Sequence, residues 1–140
     1  MVEINWLAVL LATLASMVVG SVWYVPTVFG SIWMKLAKLT PKDMETGGWT
    51  PIAVSIATSA VTAFVLAHFT YLAYEFYATE HSFLATALIT SFWAWLGFVG
   101  LRFLTHDSFE GRPLALTVLN ALHELVTLLA MATVIGLMGV

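Results

Sequence analysis

The sequence predicts an all-α, polytopic membrane protein with four transmembrane helices and a short interfacial amphipathic helix between the first two. Hydrophobic residues make up 61% of the chain and charged residues only 9%, whereas soluble domains carry about 25% charged residues. Four apolar runs are long enough to cross a bilayer core, which takes about 20 helical residues. These runs contain no Lys, Arg or Asp, and Glu124 is their only acidic residue. They cover residues 4–25, 51–74, 83–101 and 114–137, within a single transmembrane domain over residues 1–140.

Composition also excludes several classes of function. The chain has no cysteine, which excludes disulfides, thiolate metal sites and iron–sulfur clusters. A net charge of −3 provides no basic surface for nucleic acid. The N-terminal Met1-Val2-Glu3 lacks the basic region of a secretory signal, so we expect the first apolar run to be a retained helix. No motif in the sequence predicts a cofactor.

The five basic residues predict the topology. Lys35, Lys38 and Lys42 lie between the first two spans, and Arg102 and Arg112 lie between the last two. The N-terminus, the middle connection and the C-terminus contain no Lys or Arg. Under the positive-inside rule, both termini lie outside and the two basic connections lie in the cytoplasm.

The first two spans each carry a small residue at every fourth position. Such columns allow helix backbones to approach closely in a membrane, within one subunit or between subunits. Because one four-helix bundle does not obviously need both columns, we expect a homo-oligomer. The members are Ala8, Ala12, Ser16 and Gly20 in the first span, and Ser55, Ser59, Ala63 and Ala67 in the second.

The connection after the first span predicts the interfacial helix. Pro26 should end or kink the first helix because it removes a donor and crowds the preceding turn. Between residues 29 and 39 the apolar side chains fall on one helical face with lysines beside it, which is typical of a helix lying in the membrane plane. Thr40-Pro41 then resembles a helix start. The predicted interface anchors are Trp23, Tyr24, Trp33, Lys35 and Lys38.

The last span carries the candidate functional residues, a polar stripe formed by Asn120, His123, Glu124 and Thr127. Helical spacing places all four on one side of the helix. Ionisable side chains inside a membrane should face the protein interior or water. His68 on the second span and Arg102 at the end of the third are further candidates for this polar cluster, although His68 should lie roughly 8 Å higher than His123 at 1.5 Å per residue.

Three functions remain open for this polar cluster. The first is a structural or interaction module, in which the polar side chains hydrogen-bond between helices. The second is an oligomeric transporter or binding protein for a small polar or cationic solute, or for protons. The third is a membrane-embedded acid/base enzyme, although no sequence feature specifies a reaction. A metal site is not predicted, because Thr127 stands where a zinc metalloprotease helix has its second histidine.

Two regions of the sequence resemble DUF1761, a family of small bacterial four-helix membrane proteins. The first is Gly20-Ser-Val-Trp-Tyr-Val-Pro26, preceded by Asn5-Trp6 and followed by Phe29-Gly30 and Trp33-Met34. The second is Phe109-Glu-Gly-Arg-Pro113, preceded by Gly97-Phe-Val and followed by Asn120 and His123. The resemblance implies four spans and a location in the bacterial inner membrane, and it implies no established activity.

Overall fold

The computed structural model describes residues 3–46, 48–77 and 81–140. The helices are α1 (Trp6–Trp23), α2 (Ser31–Ala37), α3 (Pro41–Thr46), α4 (Thr50–Tyr77), α5 (Phe83–Ala94), α6 (Leu101–Phe109) and α7 (Leu114–Met138). Two π-helical segments, Pro26–Gly30 and Trp95–Gly100, precede α2 and α6. No strand occurs in the described ranges.

Four helical stretches are long and apolar enough to cross a membrane: Trp6–Trp23, Thr50–Phe76, Phe83–Phe109 and Leu114–Met138. They form a bundle in which α1 and α5 each pack against both α4 and α7. The predicted fold class is therefore confirmed. The third stretch runs to Phe109 rather than ending at residue 101, because the chain stays helical through the π segment and α6.

The antiparallel pair α1 and α7 is joined at both ends. At the end with the chain termini, the Asn5 side-chain amide donates to the carbonyl of Met138 at 3.4 Å, while its oxygen accepts from the N–H of Ala8 and caps α1. At the opposite end, a Cβ on Gly20 would lie 3.6 Å from Nε2 of His123. We call this opposite end, which carries the five basic residues, the basic end.

The core lies in the half of the bundle that is remote from the basic end. Buried apolar side chains from α1, α4, α5 and α7 form one cluster there, with Ala12, Ala63, Ala87 and Ala132 fully buried. Toward the basic end α4 separates from this core, and all residues from 50 to 58 are exposed. The bundle is therefore closely packed in one half and open in the other.

A tight turn directs the chain from α1 into α2. The N–H of Gly30 donates to the carbonyl of Val25 at 3.0 Å, five residues back, which is the π-helical spacing. Gly30 is buried, and a Cβ there would collide with the carbonyl oxygen of Tyr24. A side chain at this position would therefore force the turn open.

The start of α3 is a capping box, as its Thr-Pro sequence predicted. The backbone N–H and hydroxyl of Thr40 donate to a carboxylate oxygen of Asp43 at 2.7 and 2.6 Å. These hydrogen bonds, the hydroxyl first, lower the pKa of Asp43 below its usual value. Their contribution to the helix start is present above that usual value and is lost as pH falls through the lowered pKa.

Helices α5 and α7 approach each other closely at Gly136. A Cβ on Gly136 would lie 2.8 Å from the Cα of Leu84 and 3.2 Å from the Cβ of Ala87. Farther along the same pair, the indole Nε1–H of Trp95 donates to the carbonyl of Ala121 at 2.7 Å. The absence of a side chain on Gly136 thus sets the distance between these helices.

We predict that Gly136→Ala destabilises the protein by about 1–3 kcal/mol, since the added methyl overpacks the contact with the α5 backbone. Thermal unfolding of the purified protein in detergent measures the change. Gly97→Ala is the matched control because nothing lies within 4 Å of its added Cβ. Equal melting temperatures for the two variants would contradict the close approach.

Candidate functional site

A half-open groove of about 710 Å³ occupies the space between α1, α4 and α7 at the basic end. We call it the polar groove. It is lined by Ser16, Met17, Gly20, Ser21, Tyr24, Trp33, Pro51, Ile52, Ser55, Thr58, Ser59, Thr62, His123, Glu124, Thr127, Leu128 and Met131. It exists because the first part of α4 separates from α1 and α7. Three of the four residues of the predicted stripe therefore line one cavity.

His123 and Glu124 are ionisable residues of the groove. Nδ1 of His123 lies 3.2 Å from Oε1 of Glu124. The His123 side chain is 14% exposed and that of Glu124 is 39% exposed, so the carboxylate reaches the open space of the groove while the imidazole stays enclosed. If Nδ1 carries the proton shared with the carboxylate, Nε2 is left as a hydrogen-bond acceptor.

Aromatic rings enclose His123 from the side of α1 and α2. The ring centroids of Trp23 and Tyr24 lie 5.7 and 5.0 Å from that of His123. Tyr24 also makes an edge contact with Trp33 at 5.1 Å. Trp23 and Tyr24, predicted as interface anchors, thus turn inward, because the π turn after α1 folds the chain back beside α7.

Several buried polar atoms near His123 find no hydrogen-bond partner among the described residues. They are Nε1 of Trp23, Oδ1 of Asn120, Nε2 of His123 and Oγ1 of Thr127. A buried polar atom without a partner costs about 1–3 kcal/mol. Of these four residues, His123 and Thr127 line the polar groove, and Asn120 lines a separate groove beside α2.

Helix α4 supplies a wall of hydroxyl groups. Ser55, Thr58, Ser59 and Thr62 follow the spacing of one helical face and all line the polar groove. Their presence could have been read from the sequence as a polar stripe, but Ser55 and Ser59 were predicted to pack against a neighbouring helix. Ala63 and Ala67, farther along the same column, are buried in the core.

The small residues at every fourth position of α1 are likewise divided between the core and the polar groove. Ala8, Ala12 and Ser16 are buried, and Gly20 is half-buried against His123. The small residues therefore lie in the close contact and at the edge of the groove, inside one subunit.

Three candidate residues lie outside the polar groove. Nδ1 of His68 lies 2.9 Å from the carbonyl of Phe64, one turn earlier in α4, and its ring stacks edge-on against Phe64. Arg102 is exposed on α6. Asn120 lines a separate groove beside α2. The candidate cluster of six residues is thus divided, and only His123, Glu124 and Thr127 of α7 line the polar groove.

A buried carboxylate that the sequence did not indicate lies at the basic end. Asp107 accepts a hydrogen bond from the hydroxyl of Thr117 at 2.7 Å, and Nε of Arg112 lies 3.8 Å from its second oxygen. The same Nε lies 2.6 Å from Glu110. This network joins the end of α6 to the start of α7. The sequence places Asp107 ten positions before Thr117. This spacing indicates a contact only once α6 is known to extend to Phe109, because Asp107 then lies in the last turn of a helix that meets α7.

No group of three or more His, Asp or Glu side chains arranged for a metal ion occurs in residues 3–46, 48–77 and 81–140. Glu124 and His123 supply two potential ligands, and the other polar atoms of the groove are hydroxyl groups.

The fold and this site define a four-helix membrane protein with a polar groove open at its basic end. Over residues 7–136 the chain matches the family described as "Protein of unknown function (DUF1761)". The chain therefore belongs to this family, which confirms the resemblance seen in the sequence. No curated protein and no solved structure matches the chain.

We predict that Thr127→Val stabilises the protein by about 1 kcal/mol, since it removes a buried hydroxyl without a partner at nearly constant volume. Thr117→Val on the same helix is the matched control. It should destabilise by about 1–3 kcal/mol, because it leaves the buried carboxylate of Asp107 without its donor. Thermal unfolding in detergent tests both. Destabilisation by Thr127→Val of the same size would mean that its hydroxyl is paired.

Proposed function

We propose that this protein binds a small organic cation that carries N–H donors, such as a protonated primary or secondary amine, in the polar groove. The observation that carries the proposal is the set of unpaired acceptors beside a carboxylate: Nε2 of His123, Oγ1 of Thr127 and the half-exposed Glu124. An ammonium group beside Glu124 offers N–H donors to these acceptors and neutralises the charge of the carboxylate.

The rest of the groove fits the same class of ligand. Its volume of about 710 Å³ lies within the range of about 300–1,000 Å³ typical of small-molecule sites. The rings of Tyr24 and Trp33 line it at the basic end, where an aromatic face attracts a cation. Leu128 and Met131 supply an apolar floor. A ligand with one ammonium group and an apolar body matches these walls.

We further propose that the groove opens toward the cytoplasm, with both termini outside, in the inner membrane of a bacterium. The support for this orientation is that all five basic residues lie at one end of the bundle, with Arg102 in the last turns of the third stretch and the others in the two connections there. The groove runs from that end to the middle of the bundle, where Met131 is buried. A site closed on the outer side is suited to capture from the cytoplasm, and transport would require the core half to open.

A homo-oligomer is the second candidate, and a specific observation favours it. Residues 50–58 of α4 are exposed, and among them Ser55 and Thr58 face the polar groove. A second copy that packs against this part of α4 would close the open side of the groove and cover these exposed hydroxyl groups. In that arrangement the cluster is a structural module, and its polar atoms pair between subunits.

To test cation binding, we expect Glu124→Gln to weaken binding of dansylcadaverine, a fluorescent primary ammonium, by at least about tenfold, because a charge-assisted hydrogen bond worth about 1.5–3 kcal/mol is lost. Fluorescence titration of the protein in nanodiscs, with empty nanodiscs subtracted, measures the affinity. Glu75→Gln, which removes an exposed carboxylate at the opposite end of α4, should leave the affinity unchanged.

A second probe separates charge recognition from partition into lipid. Dansyl-6-aminohexanoate has the same fluorophore and a similar chain but ends in a carboxylate. The wild-type protein should bind it more weakly than the ammonium probe. Equal affinity of wild type, Glu124→Gln and Glu75→Gln for dansylcadaverine would refute cation binding.

Native mass spectrometry of the detergent-solubilised protein tests the oligomer. We expect a mass above that of one 15.3 kDa chain, and the same mass for Glu124→Gln if the glutamate serves a ligand. An oligomer that Glu124→Gln dissociates, without bound ligand in wild type, would instead support the structural module. A monomer in both would exclude the second candidate.

A further inference from the structure

A second groove, separate from the polar groove, lies between α2 and the turn that precedes α7. It has a volume of about 490 Å³ and combines charged and apolar side chains. The residues that bear on its chemistry are Lys38, Arg112, Glu110, Asn120, Trp33 and Leu116. We call it the basic groove.

The two cations of the basic groove are held in different ways. Nε of Arg112 is fixed by Glu110 at 2.6 Å and approaches Asp107 at 3.8 Å, and the side chain stays 49% exposed. Its terminal N–H groups thus remain for a ligand. Lys38 takes part in no ion pair within the described ranges and is exposed. Glu110 and Asp107 both lie beside Arg112, whereas the positive charge of Lys38 is not paired with a carboxylate within the described ranges.

The backbone of Lys38 is fixed by the end of α2. Its φ of 56° makes it the one non-glycine residue with a positive φ in the part of the chain that the structure describes. The N–H of the following Leu39 donates to the carbonyl of Met34 at 2.9 Å, which closes the helix in a Schellman-type turn. A left-handed backbone is unfavourable for a lysine, so this turn holds the ammonium side chain beside the groove at some cost.

Three further features suit a phosphate group attached to an apolar chain. Helix α7 begins beside the groove at Pro113 with no side-chain cap among the described residues, and the positive end of a helix dipole attracts anions. The Asn120 side chain lines the groove, and its Nδ2 group is a hydrogen-bond donor. Trp33 and Leu116 form an apolar wall.

We propose that the basic groove binds a phosphate group, with Lys38 and the free N–H groups of Arg112 as donors. The phosphate comes from a membrane phospholipid, whose acyl chain lies along the apolar wall, or from a soluble phosphate ester. The charged residues of this site, Lys38, Glu110 and Arg112, are different from those of the polar groove.

Native mass spectrometry of the full chain in detergent, with added phosphatidylglycerol, tests the proposal. We expect wild type to retain the lipid, and Lys38→Ala to retain it at least about tenfold less, because a charge-assisted hydrogen bond is lost. Lys35→Ala is the matched control, an exposed lysine on the same helix that does not line the groove. It should reduce retention by no more than about fivefold, the general effect of a lysine near an anionic surface.

Lys38→Gly separates charge from folding, since glycine accepts the left-handed backbone without strain while it removes the lysine side chain and its ammonium group. It should lose the lipid as Lys38→Ala does. Glycerol 3-phosphate that displaces the lipid at equal concentration would assign the site to a soluble phosphate ester. Equal losses in Lys35→Ala and Lys38→Ala, or no retention of lipid or phosphate ester by wild type, would overturn the proposal.

Discussion

The close antiparallel contact between α1 and α7 is the interaction on which the rest of the structure depends. It is fixed at one end by the hydrogen bond from Asn5 to Met138 and at the other by the approach of Gly20 to His123. Small residues on α1 make this approach feasible where lipid offers no hydrophobic driving force between helices. Because α2 and α3 occupy the chain between α1 and α4, the start of α4 is separated from this pair. The polar groove is the space that remains.

The polar cluster illustrates the conflict between stability and binding. Unpaired buried polar atoms lower stability, and in a membrane the alternative of exposure to water is restricted. A chain that keeps Nε2 of His123 and Oγ1 of Thr127 unpaired beside a carboxylate therefore carries a cost in stability. The closely packed core in the other half of the bundle offsets it. Proteins commonly depart from local rules of stability at functional sites and compensate with stable packing elsewhere in the fold.

Composition alone was sufficient to predict the four spans, because apolar length is a strong constraint in a bilayer. The stripe on α7 could be predicted from helical spacing. That only three of its four residues line the polar groove could not be predicted, since spacing within one helix does not specify which neighbouring helix lies at each height. For the same reason Ser55 and Ser59 were read as packing residues. Asp107 was missed because the third span was ended at residue 101, whereas the π segment Trp95–Gly100 carries the helix to Phe109.

Trp33 belongs to the walls of both grooves, and its ring is held at one edge by Tyr24. A shared wall has a thermodynamic consequence. If occupation of one groove shifts the indole, it changes the free energy of occupying the other, and linkage requires the effect to be equal in both directions. The occupancy of the basic groove would then change the affinity of the polar groove for its ligand. A ligand bound in the polar groove would in turn change the affinity of the basic groove for phosphate.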